Sequence, residues 1–382
     1  MIYLDAAATA KYDNIDDIIV NTMTLAMRDS WMNPSSLYAS NVKNKVDRCR
    51  TNVAEFINAK SDEIYYTSGG SESNSWAIQG FVNQCFYEGK KPCVITSTIE
   101  HKSIIECVNN LNYADVIFVN VDEYGFVDTK ELRNIMLEKT LGNYEILVSI
   151  QLANNEIGVI QNLKEIAEEV HRFNGILHTD AVQAFGHILI DVEDLDVDLM
   201  SVSAHKISPV LRGIGFLYKK NGINIQPIIY GSQENGFRGG TTNTYGIIGL
   251  NKALEYCDIS QKKTDAISKK RNFFIELLEN KFDCELNGDS YYRLPNNINV
   301  TFSQNITGES LLYMLDMCDI KISTGSACNS KEVLPSHVLK AIGLTDEQAM
   351  KTIRITLSNN ITYEDIDKAV EEIGKSIKLI ET

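Results

Sequence analysis

"VDLMSVSAHKISP", residues 197–209, is the stretch from which the rest of the chain can be read. Its first half, Val197 to Val202, is of strand length and mostly apolar, with Asp198 and Ser201 among Val197, Leu199, Met200 and Val202. Its second half places Ser203, His205 and Lys206 within four residues. A strand this apolar is expected to be buried on both faces, as in a parallel sheet. In parallel α/β folds ligands gather at the carboxyl ends of the strands. A single lysine there would ordinarily be a solvated rim residue, so its meaning depends on what the neighbouring strands bring to the same end.

Further runs of the same kind lie on both sides. "EIYYT" (63–67), "PCVITS" (92–97), "ADVIFVNVD" (114–122), "EILVSIQLA" (145–153) and "GILHTD" (175–180) are predicted strands. Between two of them, "NLKEIAEEVHRFNG" (162–175) carries Leu163, Ile166, Ala167 and Val170 on one helical face, with Asn174-Gly175 as a stop. Strands alternating with amphipathic helices predict an α/β domain with a largely parallel sheet. After about residue 255 the rhythm changes. A long helix over 264–282 leads to the strand "NNINVTF" (296–302), two helical stretches and "TIRITLS" (352–358). A last helix is N-capped near Thr362 and repeats Ile366, Val370, Ile373 and Ile377. The expected division is a large domain over 15–255 and a smaller α/β domain made of 1–14 and 256–382.

Composition narrows the function. The chain has 382 residues, 44% hydrophobic and 23% charged, the profile of a globular protein with a sizeable core. Its formal charge of −15 disfavours nucleic acid, and no basic stripe interrupts it. None of the eight cysteines forms a C-x-x-C pair or a zinc-finger spacing with the six histidines, so no metal site is expected. The start, "MIYLDAAATAKYDN", has neither a basic region nor an apolar one of export type, and no later run is long enough to span a bilayer. The expectation is a reduced, cytoplasmic protein.

Several strand ends then supply polar groups. "YYTSGGSESN" passes from strand through a Gly-Gly-Ser turn into a helix, whose N–H groups can face an anion. It matches neither the phosphate loop of nucleotide-binding enzymes nor the dinucleotide fingerprint, which lowers nucleotide binding. "HTDAVQ" ends in Asp180, "ANNEIG" presents Asn154 and Asn155, and "TIEHKSI" presents His101. Taken singly, these read as a cap, a turn and a capping or core histidine. Converging on one crevice with Ser203, His205 and Lys206, they read better as a Schiff-base amine facing a carboxylate, an imidazole and a phosphate cradle.

These segments, with "NPSS" (33–36), "RGGTTN" (238–243) and "STGSACNS" (323–330), run in order over nearly the whole chain. In this the chain resembles the cysteine desulfurases, pyridoxal-phosphate enzymes of the class V aminotransferase group with fold type I. The resemblance implies a seven-stranded-type, mainly parallel sheet sandwiched by helices, and a smaller carboxy-terminal domain carrying the active-cysteine loop. It implies that Lys206 holds pyridoxal 5'-phosphate, that Asp180 pairs with the pyridine nitrogen, and that His101 stacks on the ring and moves protons. Asn155 and Gln183 would reach the phenolic oxygen, and Gly70, Ser71, Ser203 and His205 the phosphate, with Thr241 supplied across a homodimer interface. Arg354 and Asn33 would take the substrate carboxylate, since a guanidinium donates two parallel hydrogen bonds to that anion.

The residue that would select the reaction is Cys328, in a stretch rich in small polar residues. Cys85, Cys93, Cys107 and Cys318 lie in apolar runs and are expected to be buried and inert. The implied reaction turns L-cysteine into L-alanine and leaves sulfur on Cys328 as a persulfide, to be passed to a sulfur-acceptor protein for iron–sulfur assembly or tRNA thiolation. Selenocysteine lyase or another class V aminotransferase is the enzymatic alternative, and a cofactor-binding scaffold without catalysis the remaining one. The chain departs from the family at Ala6 and Ala10, at Tyr38, in the longer "HKISPVLRGIG" loop (205–215), and at "VLP" (333–335).

Overall fold

The computed structural model describes residues 1–324 and 334–382. Twelve strands are present among them: β1 (Ile2–Tyr3), β2 (Ile64–Thr67), β3 (Lys91–Ser97), β4 (Asp115–Val119), β5 (Tyr144–Ser149), β6 (Ile176–Asp180), β7 (Leu199–Ser203), β8 (Gly215–Lys219), β9 (Cys284–Leu286), β10 (Asn297–Phe302), β11 (Ile320–Lys321) and β12 (Thr352–Thr356). Seven of these form one sheet in the order β2-β8-β7-β6-β5-β3-β4. The run from β7 to β4 is parallel throughout, whereas β8 is antiparallel to both of its neighbours. Each apolar run expected to be a strand of this sheet is one. β8, "GFLYK", was not anticipated; its five buried residues follow a Gly-containing loop.

Alternation along the strands explains why both sheet faces need helices. Cys93, Ile95, Ile146, Val148, Met200 and Val202 enter one core, where the helix Leu163–Arg172 packs through Leu163, Ile166, Ala167 and Val170. Val94, Leu147 and Leu199 enter the opposite core with Trp76, Ala77, Ile78 and Phe81 of the helix Gly70–Tyr87. Each fully buried side chain of this size contributes about 2 kcal/mol of transfer free energy. The helix Leu163–Arg172 stops as expected: Asn174 takes a left-handed φ of 56°.

A second, three-stranded antiparallel sheet, β12-β10-β9, has its own core. The helix Tyr363–Glu381 covers it with Ile366, Val370, Ile373 and Ile377, and Thr362 and Asp365 form the capping box at its start. β1 pairs in parallel with β11 and so brings the amino-terminal residues beside the carboxy-terminal part. The cysteine expectations divide. Cys85, Cys93 and Cys107 are buried, but Cys318 is exposed. It follows the last turn of the helix Gly308–Met317, where left-handed Asp319 turns the chain, so the apolar helix face represented by Leu311 and Leu315 does not extend to it. Cys328 lies outside the described residues. No helix among the described residues is long and apolar enough to cross a membrane.

Candidate active site

A cavity of about 520 Å³ opens at the carboxyl ends of β2, β5, β6 and β7. Gly70, Ser71, His101, Asn155, Asp180, Gln183, Ser203, His205, Lys206 and Arg354 all line it. Asn33 and Thr241 do not: both are exposed, and the Asn33 side chain accepts a hydrogen bond from the Ser35 amide at 3.0 Å. Within one chain, then, these two stand apart from the other candidates.

Lys206 follows β7 on a short 3-10 turn, Ala204–Lys206. Its Nζ donates to the carbonyls of Ala7 and Ala8, at 2.6 and 3.0 Å. Burial, and then the nearby Arg354 guanidinium, lower its pKa to about 8, against the pull of Asp180. The amine thus loses its proton far more readily than an ordinary lysine, a condition for a nucleophilic lysine. Gln183 donates to the same Ala7 carbonyl at 3.1 Å. Ala7 and Ala8 therefore line the cavity through their backbone carbonyls.

Asp180 ends β6 as a buried carboxylate. Its Oδ1 accepts from the Val182 amide at 2.9 Å and its Oδ2 from Asn74 Nδ2 at 2.7 Å. Asn74 also donates to Ser103 Oγ at 2.9 Å, while its own Oδ1 is buried without a partner among the described residues. The residue was quoted in the sequence but given no role. It lies one helical turn after Gly70, which places its side chain on the cavity side of the helix.

The anion end of the cavity is built by Gly69 and Gly70. Gly69 has a φ of 149°, and a Cβ there would stand 3.3 Å from Ser203 Oγ; at Gly70 it would meet Val182 Cγ2 at 2.6 Å. The helix Gly70–Tyr87 begins here, so its first-turn N–H groups, which have no intrahelical acceptors, face the cavity. Ser203 Oγ and His205 Nδ1 lie 2.8 Å apart beside it. Burial, with Lys206 and Arg212, lowers the His205 pKa to about 4.

His101 fills both roles left open by the sequence. It N-caps the helix Lys102–Asn109 by accepting from the Ser103 amide at 3.1 Å, and it lines the cavity. Accepting that bond requires Nδ1 to be unprotonated. The packing around it disfavours the imidazolium, Lys206 and His337 add to this, and Asp180 opposes it. Asn154, by contrast, belongs to the turn: its Oδ1 accepts from the amides of Glu156 and Ile157. The Asn155 carbonyl accepts from Arg354 Nη1 at 3.0 Å.

Arg354 projects from β12 and also donates Nη2 to Asp5 Oδ1 at 2.7 Å; its Nε is buried without a partner among the described residues. Asp5 was not singled out in the sequence, where only its place in "YLD" marked it. Glu100, beside His101, is fully buried. Burial raises its pKa to about 8, although Ser97 Oγ and the Gln151 amide donate to it. The longer loop after Lys206 is anchored inward by a buried hydrogen bond from Ser208 Oγ to Asp16.

An amine of lowered pKa, a buried carboxylate across the cavity, an imidazole and a helix N-terminus make up the donor set that a pyridoxal phosphate needs. The cradle admits no Cβ without crowding, and the orphaned Asn74 Oδ1 leaves an acceptor at the same wall. The residues present fit the group. The sequence model of class-V aminotransferases matches residues 2–369. The chain belongs to the class-V aminotransferase family.

Within the family its relatives are cysteine desulfurases. The chain is 42% identical over 388 aligned positions to a cysteine desulfurase IscS of Clostridium botulinum, covering 99% of this chain and 94% of that protein. It superposes on a solved NifS-like protein with a TM-score of 0.88 at 30% identity, covering 99% of both chains. It is also similar to SspA, solved in complex with cysteine, with a TM-score of 0.79 and 31% identity over 95% of this chain and all (100%) of that one. The class-V assignment makes the protein a pyridoxal-phosphate-dependent enzyme.

Proposed function

We propose that this enzyme is a cysteine desulfurase, converting L-cysteine and the Cys328 thiol into L-alanine and a Cys328 persulfide. The S–S bond formed at Cys328 replaces the substrate's C–S bond; of the two thiol hydrogens, one ends in the alanine methyl group and the other in the persulfide. The observation that carries the reading is the convergence of Lys206, Asp180, His101 and Arg354 on one cavity. Pyridoxal phosphate, when bound, supplies an electron sink for charge developing at the carbon next to the substrate's carboxylate.

The chain's own residues do the rest. Lys206 is the covalent anchor of the cofactor and the base that takes and returns the proton at the α-carbon; an amine with a pKa of about 8 is suited to both directions near neutral pH. Asp180, fixed by Asn74 and the Val182 amide, would face the cofactor's ring nitrogen and favour its protonated form. The Gly70 helix N-terminus, Ser71, Ser203 and His205 would hold the phosphate, and Asn155 and Gln183 would serve the phenolic oxygen. His101 would lie against the bound cofactor and could carry protons through Nε2, its Nδ1 being occupied by the Ser103 amide. Arg354 receives the substrate carboxylate with the N–H groups not given to Asp5 and Asn155.

The same reading covers the two residues outside the cavity. In a homodimer Thr241 completes the partner subunit's phosphate site, and Asn33 joins Arg354 at the carboxylate. The large domain is 15–255 and the smaller one 1–14 with 256–382; the protein works in the cytoplasm and hands its sulfur to an acceptor protein. Incubation of the purified protein with cysteine and dithiothreitol is the test. Equal amounts of alanine and sulfide are expected. Pyruvate formed from alanine in the presence of a keto acid, with no sulfide from cysteine, would replace desulfuration by transamination.

A further inference from the structure

The short helix His337–Ala341 begins nine positions after Cys328 and is not part of the cavity lining. Ser336 N-caps it, accepting from the amides of Val338 and Leu339 at 3.1 and 3.3 Å. The same hydroxyl donates to Glu156 Oε2 at 2.5 Å. His337 Nε2 lies 2.9 Å from the Glu100 carbonyl. A carbonyl only accepts, so this bond fixes the ring with its proton on Nε2. Behind the two polar contacts, Val338, Leu339 and Ile342 pack in one apolar cluster with Ile99, Ile157 and Val159.

Both polar contacts fall on loops that present cavity residues. Glu100 immediately precedes His101, and Glu156 immediately follows Asn155. The second loop is gripped from its other side as well, since Asn297 and Asn299 of β10 donate to the Glu156 carbonyl at 3.1 and 3.2 Å. One small element thus ties the chain downstream of Cys328 to the two strand-end loops that carry His101 and Asn155. Eight residues reach at most about 27 Å when fully extended, so the place where Ser336 is pinned bounds where the Cys328 sulfur can go.

We propose that Ser336 and His337 are positioning residues for sulfur transfer: they dock the cysteine-bearing chain onto the loops of residues 99–101 and 154–157, and set the Cys328 tether and the His101 wall relative to each other. The inference rests on the desulfurase reading for its consequence, but the dock itself has a readout that does not. His337→Ala and His337→Gln are compared with the unaltered holoenzyme, glutamine keeping an N–H for the Glu100 carbonyl. Two measurements are made: single-turnover transfer of sulfur from cysteine to Cys328, and amide hydrogen exchange over 99–101 and 336–342.

His337→Ala should slow the transfer about ten-fold, the size expected for one lost buried hydrogen bond, and speed exchange in both segments by a similar factor. The cofactor absorbance and the KM for cysteine should not change, and His337→Gln should restore most of both losses. Transfer at the unaltered rate, a change in KM alone, loss of bound cofactor, or no rescue by glutamine would each overturn the proposal. If the unaltered enzyme forms no alanine from cysteine, the desulfurase reading fails instead. The exchange measurement then decides the dock: acceleration in both segments upholds it, and unchanged exchange removes it.

Discussion

Asn74→Ala isolates a contact that is invisible in the linear motif. Asn74 Nδ2 donates to Asp180 Oδ2 at 2.7 Å, and both side chains are buried. A hydrogen bond to a charged group contributes about 1.5–3 kcal/mol. Part of that loss is offset, because the substitution also removes the buried, unpartnered Asn74 Oδ1. A net cost of about 2 kcal/mol corresponds to about a thirty-fold weaker hold on whatever Asp180 binds, at about 1.4 kcal/mol per decade. If that partner is the ring nitrogen of pyridoxal phosphate, the cost appears in cofactor affinity, measured by titrating the apoprotein and following the visible absorbance. Asn74→Asp should be worse than Asn74→Ala, since it sets a second carboxylate against Asp180 at hydrogen-bond distance. Affinities within about two-fold of the unaltered protein for both variants would refute the reasoning, because Asp180 would then need no such support.

Other outcomes follow from the same geometry. Lys206→Ala should lose the cofactor adduct that borohydride fixes to the chain, and retention of a trapped adduct would move the anchor to another amine. Cys328→Ala should abolish sulfide release from cysteine while leaving the bound-cofactor absorbance intact; normal turnover would remove that thiol from the reaction. Gly215→Ala would drive a Cβ to 2.3 Å from the Val202 carbonyl and 2.7 Å from Gly69 Cα, so denaturant titration should show about 3 kcal/mol of lost stability, with weaker cofactor binding. His178, flanked by Ser149 Oγ and Ser201 Oγ, has its pKa lowered to about 3 by burial. The unfolded chain takes up a proton near the ordinary histidine value that the folded chain refuses. Stability from this group is therefore complete above about pH 6.5 and falls as the pH drops toward 3, by about 1.4 kcal/mol per pH unit. Denaturation at about pH 7.5 and about pH 5.5 should show a smaller pH dependence in His178→Asn than in the unaltered protein.

Local periodicity carried most of the fold. The strands that end at Asp180 and before Lys206 are buried along nearly their whole length because helices cover both sheet faces, although His178, Thr179 and Ser201 interrupt their apolar residues, and the last helix announced its start with Thr362 and Asp365. β8 was missed because direction is not written in a short apolar run: "GFLYK" is as compatible with a parallel strand as with the antiparallel one it forms. Cys318 misled for a related reason. Its neighbours are apolar, but burial depends on where the helix ends, and that end leaves the thiol outside.

By itself the sequence determined which residue types stand at the strand ends, and with them the kind of chemistry: an amine at position 206, a carboxylate at 180, an imidazole at 101 and a glycine turn at 69–70. Only the tertiary structure decided how those groups are tuned. Asn74 meets Asp180 across 106 positions of chain, Asp5 meets Arg354 across 349, and Ser336 meets Glu156 across 180. Such pairs depend on the packing of separate strands and helices, and side-chain identity along the chain does not specify that packing distance by distance. The lowered pKa of Lys206 has the same origin, since desolvation is a property of the closed cavity wall rather than of the lysine.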